Sequence, residues 1–169
     1  ITLGASTTSA ATISKSSGTV ACDYMSISYS TASGGATYFA GANSTDGGNN
    51  SGWFFGAASS IAGTVYTNVG VTNIGTGKTV ALSINGAAAA TTADTDSNGA
   101  YSFTGLAVAA GDVLTLYLDG ETEKAATVTR ATGSALANIH LFQNYLITRC
   151  DNSSCSLTNT NLDTADNNA

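Results

Sequence analysis

The chain has 169 residues, enough for one domain with a sizeable core, and its 43% hydrophobic content excludes a disordered protein. Only 9% of the residues are charged and the net charge is −6, which argues against nucleic acid and anionic membrane surfaces as partners. The sequence has no apolar run of transmembrane length, so membrane insertion is not expected.

The first twenty residues form a segment rich in Ser and Thr, with isolated apolar residues at Ile1, Leu3 and Ile13. This composition favours an extended strand, but one with too few apolar groups to be stable alone in water. Alternating apolar and polar residues then predict strands over 20–29 and 36–42.

From residue 61 onward, short alternating runs bounded by Gly, Asn and Asp recur about every ten residues, which predicts an all-β fold. Asn85-Gly86 and Asn98-Gly99 are signals for two-residue hairpins. No segment has a convincing helical period, and the polar, acidic residues 156–169 predict a loose tail. The strands predicted in this part of the chain are 61–67, 78–85, 87–93, 100–104, 112–118, 125–130 and 139–149.

Four elements stand out in this region: Gly63-Thr64-Val65, Gly77-Lys78-Thr79-Val80, the run from Thr95 to Phe103, and Gly111-Asp112-Val113-Leu114. Together they resemble the prealbumin-like sandwich of carboxypeptidase-regulatory-like and Cna-B-type repeats, found in repetitive bacterial or archaeal cell-surface proteins. The resemblance implies a non-catalytic module with an antiparallel β-sandwich, prealbumin-like or jelly-roll-like. The expected organisation is an extended N-terminal segment at 1–20, a sandwich at 21–149 with its prealbumin-like part at 61–130, and a loop with a polar tail at 150–169.

Asp94, Asp96 and Asn98 are spaced like the first oxygen ligands of an EF-hand loop, but the acid required at the twelfth position is replaced by Gly105. Two interpretations remain. The favoured one is a tight turn whose Asx side chains bond the backbone. The other is a calcium site completed by Asp112 or by a neighbouring subunit.

Cys150 and Cys155 bracket a short polar loop, and this spacing predicts a disulfide in a secreted protein. Cys22 lies in a strand-like run. We interpret it as a buried thiol, or as a partner of the C-terminal pair or of another chain.

Catalysis is not expected. The sole histidine, His140, lies in a predicted strand, and the sequence has no G-x-S-x-G motif to supply a nucleophilic serine. Glu121 and Glu123 lie in a predicted turn beside Lys124. We therefore predict that the protein is not an enzyme. Aromatic residues at alternating positions of a strand usually pack a core. If one of them contacts a glycan instead, Trp53 is the best candidate.

These observations predict a structural extracellular protein of the cell surface, a subunit of a self-assembling filament or tube whose partners are copies of itself. Residues 1–20 would be donated to the open sheet of the next copy, with Ile1, Leu3 and Ile13 fixing the register. The scarcity of charge and the absence of proline leave sheet edges unguarded. The alternative is a cell-surface adhesin or a carbohydrate-binding module. Calcium is the only cofactor that the sequence suggests.

Overall fold

The computed structural model describes residues 1–89, 91–152 and 156–166. Within them the chain divides into two compact units, Ile1–Ala58 and Ser59–Ala169. Both units are built almost entirely from short strands, so the protein is all-β.

The first unit is a parallel β-solenoid. Its strands fall into three successive coils of about 20 residues each, and equivalent strands of successive coils pair in parallel. The strands are β1 (Thr2–Gly4), β2 (Ala11–Ser14), β3 (Thr19–Ala21), β4 (Ser26–Ser28), β5 (Ser30–Ser33), β6 (Thr37–Phe39), β7 (Thr45–Asp46) and β8 (Trp53–Phe54).

Three sheets, one on each side of the solenoid, run along the stack of coils in the orders β1-β4-β7, β2-β5 and β3-β6-β8. Side chains therefore stack on their equivalents one coil further on. Tyr38 lies opposite Trp53 and Phe39 opposite Phe54, with ring centroids 5.3 and 5.7 Å apart. These edge-to-face contacts are the favoured geometry for aromatic pairs.

The second unit contains the strands β9 (Ser59–Tyr66), β10 (Thr79–Ile84), β11 (Thr91–Asp94), β12 (Ala100–Leu106), β13 (Ala110–Leu118), β14 (Ala126–Thr132), β15 (Leu141–Phe142) and β16 (Leu146–Thr148). They form one sheet in the order β11-β10-β13-β14-β16 and another in the order β12-β9-β15. The pairs β14–β16 and β9–β15 are parallel, and the other pairs of this unit are antiparallel.

The core of the second unit is an apolar cluster to which both sheets contribute. Ile61 and Val65 of β9 alternate inward, as do Leu114, Leu116 and Leu118 of β13. This period of two follows from the pleat of a strand, which directs successive side chains to opposite faces.

A helix, α1 (Asn159–Asp166), packs on the opposite face of the five-stranded sheet. Its first turn is capped reciprocally: Thr158 N–H donates to Asn161 Oδ1 at 2.9 Å, and Asn161 N–H donates to Thr158 Oγ1 at 3.3 Å. Leu157 and Leu162 flank this cap and pack together against Val113 and its neighbours. This is the arrangement of a capping box with a hydrophobic staple.

The predicted prealbumin-like antiparallel sandwich is wrong. The first unit is instead a parallel β-solenoid of stacked coils, and two strand pairs of the otherwise antiparallel second unit are parallel as well. Alternating strands between Gly and Asn turns are compatible with both architectures, because alternation reports that a strand is half-buried but not which strand it pairs with.

Several predicted elements also differ in their bounds. The strand predicted at 20–29 is split between β3 and β4, with Tyr24 at φ +54°, and the one predicted at 139–149 is split between β15 and β16, with Asn144 at φ +68°. Asn98-Gly99 does not close a hairpin, since β11 and β12 belong to different sheets. Part of the predicted loose tail is the helix α1.

Candidate functional site

The first coil of the solenoid has an open edge on each of its three sides. Within the described residues, β1 pairs only with β4, β2 only with β5 and β3 only with β6. In contrast, β4 and β6 of the second coil are paired on both sides. Among these residues, the edges of β1, β2 and β3 that face away from the second coil are therefore unpaired.

The direction of the amides shows which groups are unpaired. Ala11 N–H donates to Tyr29 O at 2.8 Å and Lys15 N–H donates to Ser33 O at 3.1 Å, both toward the second coil. Because N–H groups alternate in direction along a strand, those of Thr12 and Ser14 point away from the second coil. They are available to a further strand.

The apolar residues of the first coil are only half covered. Leu3, Ile13 and Val20 are of intermediate burial, whereas Ile27 and Tyr38 in the next coil are fully buried. Leu3 lies opposite Ile27 in the parallel register, so a coil added at the open end would cover Leu3 as the first coil covers Ile27.

Of the three predicted polymerisation residues, Leu3 and Ile13 belong to β1 and β2, and Ile1 is 92% exposed. The donation of residues 1–20 as a detached strand is corrected, because three short strands of this segment already pair with the second coil of the same chain.

Asx side chains hold two corners of the solenoid. Asp23 accepts hydrogen bonds from the main-chain N–H and the side-chain amide of Asn43 at 2.9 and 2.8 Å, and the side-chain bond lowers the pKa of Asp23. Asn50 donates to Ile27 O and accepts from Ser30 N–H, which ties the third coil to the second. These polar groups are therefore already hydrogen-bonded within the first unit.

The acidic residues of the predicted calcium site accept hydrogen bonds at three different places in the second unit. Asp96 Oδ1 accepts from the N–H groups of Asn98 and Ala100, and Asp94 Oδ1 accepts from Thr79 Oγ1. Asp112 accepts from Asn85 Nδ2 at 2.8 Å. In the part of the chain that the structure describes, no group of three or more His, Cys, Asp or Glu residues is placed to hold a metal ion.

Lys78, Glu121 and Glu123 form an ion triplet. Lys78 Nζ lies 3.1 Å from Glu121 Oε2 and 2.8 Å from Glu123 Oε2, and Glu121 Oε1 accepts from Thr79 N–H. The hydrogen bond from Lys78 is the main cause that lowers the pKa of Glu123 to about 2, while the two carboxylates raise the pKa of Lys78. The triplet therefore joins the start of β10 to the turn after β13.

His140 is structural. Its Nδ1 accepts from Thr64 N–H at 3.1 Å, its ring packs edge-on against Tyr66, and burial lowers its pKa. A neutral imidazole in this position therefore accepts a hydrogen bond from the backbone of strand β9.

Trp53 belongs to the stacked aromatic residues of the solenoid. Its Nε1–H donates to Ser30 Oγ at 3.0 Å, so its polar edge is used inside the first unit. This half-buried position differs from an exposed platform for a sugar.

The cysteines do not support the disulfide prediction. No Sγ–Sγ bond is found among the described residues, and Cys155, the predicted partner of Cys150, lies outside them. Cys150 Sγ donates to Asn152 Oδ1 at 3.0 Å. Cys22 is a partly buried thiol that donates to Phe39 O at 3.3 Å, and burial raises its pKa.

A feature that sequence reasoning missed is a groove of about 610 Å³ beside α1 on the five-stranded sheet, next to a second depression of about 490 Å³ with which it shares lining residues. Tyr117, Lys124 and Leu146 line both parts. No local signal marks it, because its walls come from β13, β14, β16 and α1, which are separated in sequence.

The fold and the open first coil define the class of protein as an all-β protein containing a parallel β-solenoid. No protein-family model, no curated protein and no solved structure matches the chain. No helix in the described ranges is long and apolar enough to cross a membrane.

Proposed function

We propose that this protein is a structural component of an extracellular, cell-surface assembly, and that it extends by stacking β-coils on its open first coil. Its partner in this assembly is a second copy of the same chain. The observation that carries the proposal is that, among the residues that the structure describes, β1, β2 and β3 each pair on one side only.

Backbone hydrogen bonding supports stacking. A strand edge with unpaired N–H and C=O groups is a template for another strand, and three such edges at one end together favour a whole coil as the added element. Each coil would extend the stack by about 4.8 Å, the spacing of neighbouring strands. A head-to-tail contact that does not close into a ring propagates as a filament.

The side chains of the first coil also favour association. In residues 1–22 the only charged side chain is Lys15, whose Nζ donates to Thr19 O within the same coil. Natural edge strands are usually guarded by charges, proline or bulges, and this one has neither proline nor a row of charges. Added coils would also bury the half-exposed Leu3 and Ile13, which contributes apolar burial to the contact.

The proposal predicts that Thr12→Pro abolishes assembly. Thr12 N–H points away from the second coil, so proline at this edge position removes a donor to the partner without breaking a bond of the coil. We expect the unchanged chain to form concentration-dependent oligomers or fibres in light scattering and electron microscopy, and the proline variant to remain monomeric.

Thr12→Val is the matched control, because it keeps the outward N–H and favours the strand; it should assemble like the unchanged chain. The proposal is wrong if the unchanged chain is monomeric at all concentrations, or if the proline variant assembles equally well while its circular dichroism is unaltered.

A further inference from the structure

The groove beside α1 has an amphipathic lining. Tyr117 of β13 lies between Ala81 of β10 and Ala126 of β14, and these small neighbours leave space beside its ring. Tyr145 is 51% exposed and Leu146 is 64% exposed at the other wall. An aromatic and aliphatic floor of this kind suits a ligand with flat apolar faces.

Unused polar groups surround this floor. Within the described residues, the hydroxyls of Tyr117 and Tyr145, the side-chain amide of Asn144 and the carboxylate of Asp119 make no hydrogen bond, and all four residues line the groove or its extension. Burial, and then the charge of Asp119, raises the pKa of Tyr117, so its hydroxyl is a donor at neutral pH. The groove therefore offers donors and acceptors together.

The charges at the groove favour a neutral occupant. Lys124 brings one positive charge, and its Nζ already donates to Glu121 O at 2.6 Å, while Asp119 and Asp166 bring two negative charges. The whole chain also carries a net charge of −6. An anionic ligand would be repelled. A purely apolar ligand would cover the polar groups without hydrogen-bonding to them, which costs binding free energy.

We propose that this groove binds a neutral saccharide, with Tyr117 and Tyr145 against the apolar faces of the sugar rings and Asn144 and Asp119 hydrogen-bonded to its hydroxyls. Sugars combine C–H faces with dense hydroxyl donors and acceptors, which matches this lining. All of these residues belong to the second unit, so the inference does not depend on stacking of coils in the first.

The test is binding of the full chain to an array of neutral oligosaccharides, followed by calorimetric titration with cellotetraose, maltotetraose and chitotetraose. Tetragalacturonate is the anionic comparison. We expect saturable binding of at least one neutral probe. Tyr117→Ala and Tyr145→Ala should each weaken it by about tenfold, as expected for loss of an aromatic contact.

Tyr24→Ala is the matched control, because Tyr24 is an exposed tyrosine of the first unit, outside the groove; it should bind like the unchanged chain. If Tyr117→Ala fails to fold, Tyr145→Ala and Tyr117→Phe keep the test decisive, since Tyr145 is largely exposed. Absence of binding to every neutral probe, binding of tetragalacturonate alone, or undiminished binding by the folded tyrosine variants overturns the proposal.

Discussion

Gly52 lies where the third coil of the solenoid passes close to the second. Its φ is +73°, and a Cβ at this position would lie 2.1 Å from Ala32 O. That oxygen belongs to the backbone of a paired strand, so it cannot move aside as a flexible side chain would. The close approach of two coils therefore depends on the absence of a side chain at Gly52.

We expect Gly52→Ala to destabilise the protein by roughly 2–4 kcal/mol, combining a left-handed backbone penalty with a clash. Gly48→Ala is the matched control: its φ is +89° but nothing lies within 4 Å of the added Cβ, so only the backbone penalty of about 1–2 kcal/mol applies. Thermal unfolding followed by circular dichroism measures both. An equal loss of stability in the two variants would show that the contact with Ala32 O adds no penalty.

At the residue scale, local turn chemistry was predictable and long-range contacts were not. Asn85 and Gly86 have φ of +53° and +69°, and Ala87 N–H donates to Ile84 O across this turn. The predicted two-residue hairpin is not formed, however, because β10 pairs Leu82 with Thr91, two residues beyond the register of such a hairpin. The hydrogen bond of Trp53 to Ser30, by contrast, depends on the stacking of coils. The sequence singled out Trp53 as a possible glycan contact, but the environment of its ring comes from a residue in the preceding coil.

The elements of the second unit are held by polar ties as well as by the core. The triplet of Lys78, Glu121 and Glu123 joins the N-terminal end of β10 to the turn that follows β13. These strands are neighbours in the sheet, with Val80 paired to Leu118. The triplet therefore stabilises the end of this strand pair, and its two carboxylates lie in the turn that the sequence predicted beside Lys124.

The triplet makes stability depend on pH. The folded pKa of Glu123 is about 2, below its ordinary value of 4.5, so its contribution is present above about pH 4.5 and is lost as the pH falls toward 2. The pKa of Lys78 is raised above 10.5, so its contribution is present below that pH and is lost as the pH rises through the raised value.

We therefore expect Glu123→Gln to lower the unfolding free energy between pH 5 and 10, and the difference from the unchanged chain to shrink as the pH approaches 2. Denaturant unfolding across this range measures it. Asp163→Asn is the control, since it removes an exposed helix carboxylate that forms no ion pair within the described residues. A difference that is independent of pH would contradict the role of the triplet.

The helix α1 had a sequence signal that period alone did not reveal. Thr158 and Asn161 occupy the two positions of a capping box, and Leu157 and Leu162 those of a hydrophobic staple. The eight-residue helix is too short and too polar to show a clear period of 3.6. Its stability comes from packing on the sheet, where Ala165 is buried.

At the scale of the whole molecule, the two units differ in how many large apolar side chains they bury. The apolar core of the second unit consists of residues from 61 to 141, all within Ser59–Ala169. The fully buried large side chains of the first unit are Ile27, Tyr38 and Phe39. The three coils of the first unit are near the minimum that a repeat architecture needs.

We expect a fragment of residues 59–169 to fold by itself, with a cooperative thermal transition and the β-rich circular dichroism of an all-β protein. A fragment of residues 1–58 should be less stable, because it buries fewer large apolar side chains. Calorimetry of both fragments beside the full chain checks this. A non-cooperative fragment 59–169, or a fragment 1–58 of greater stability, would be the contradictory outcome.

The sequence by itself determined that this protein is all-β, with short strands between Gly and Asn turns, since alternation and turn chemistry act over a few neighbouring residues. It did not determine which strands pair. Thr2 with Ser26 and Tyr38 with Trp53 are parallel contacts between coils, and only the tertiary structure selects them over an antiparallel arrangement. The physical reason is that an alternating strand buries one face equally well in either direction, whereas the direction depends on where the chain returns.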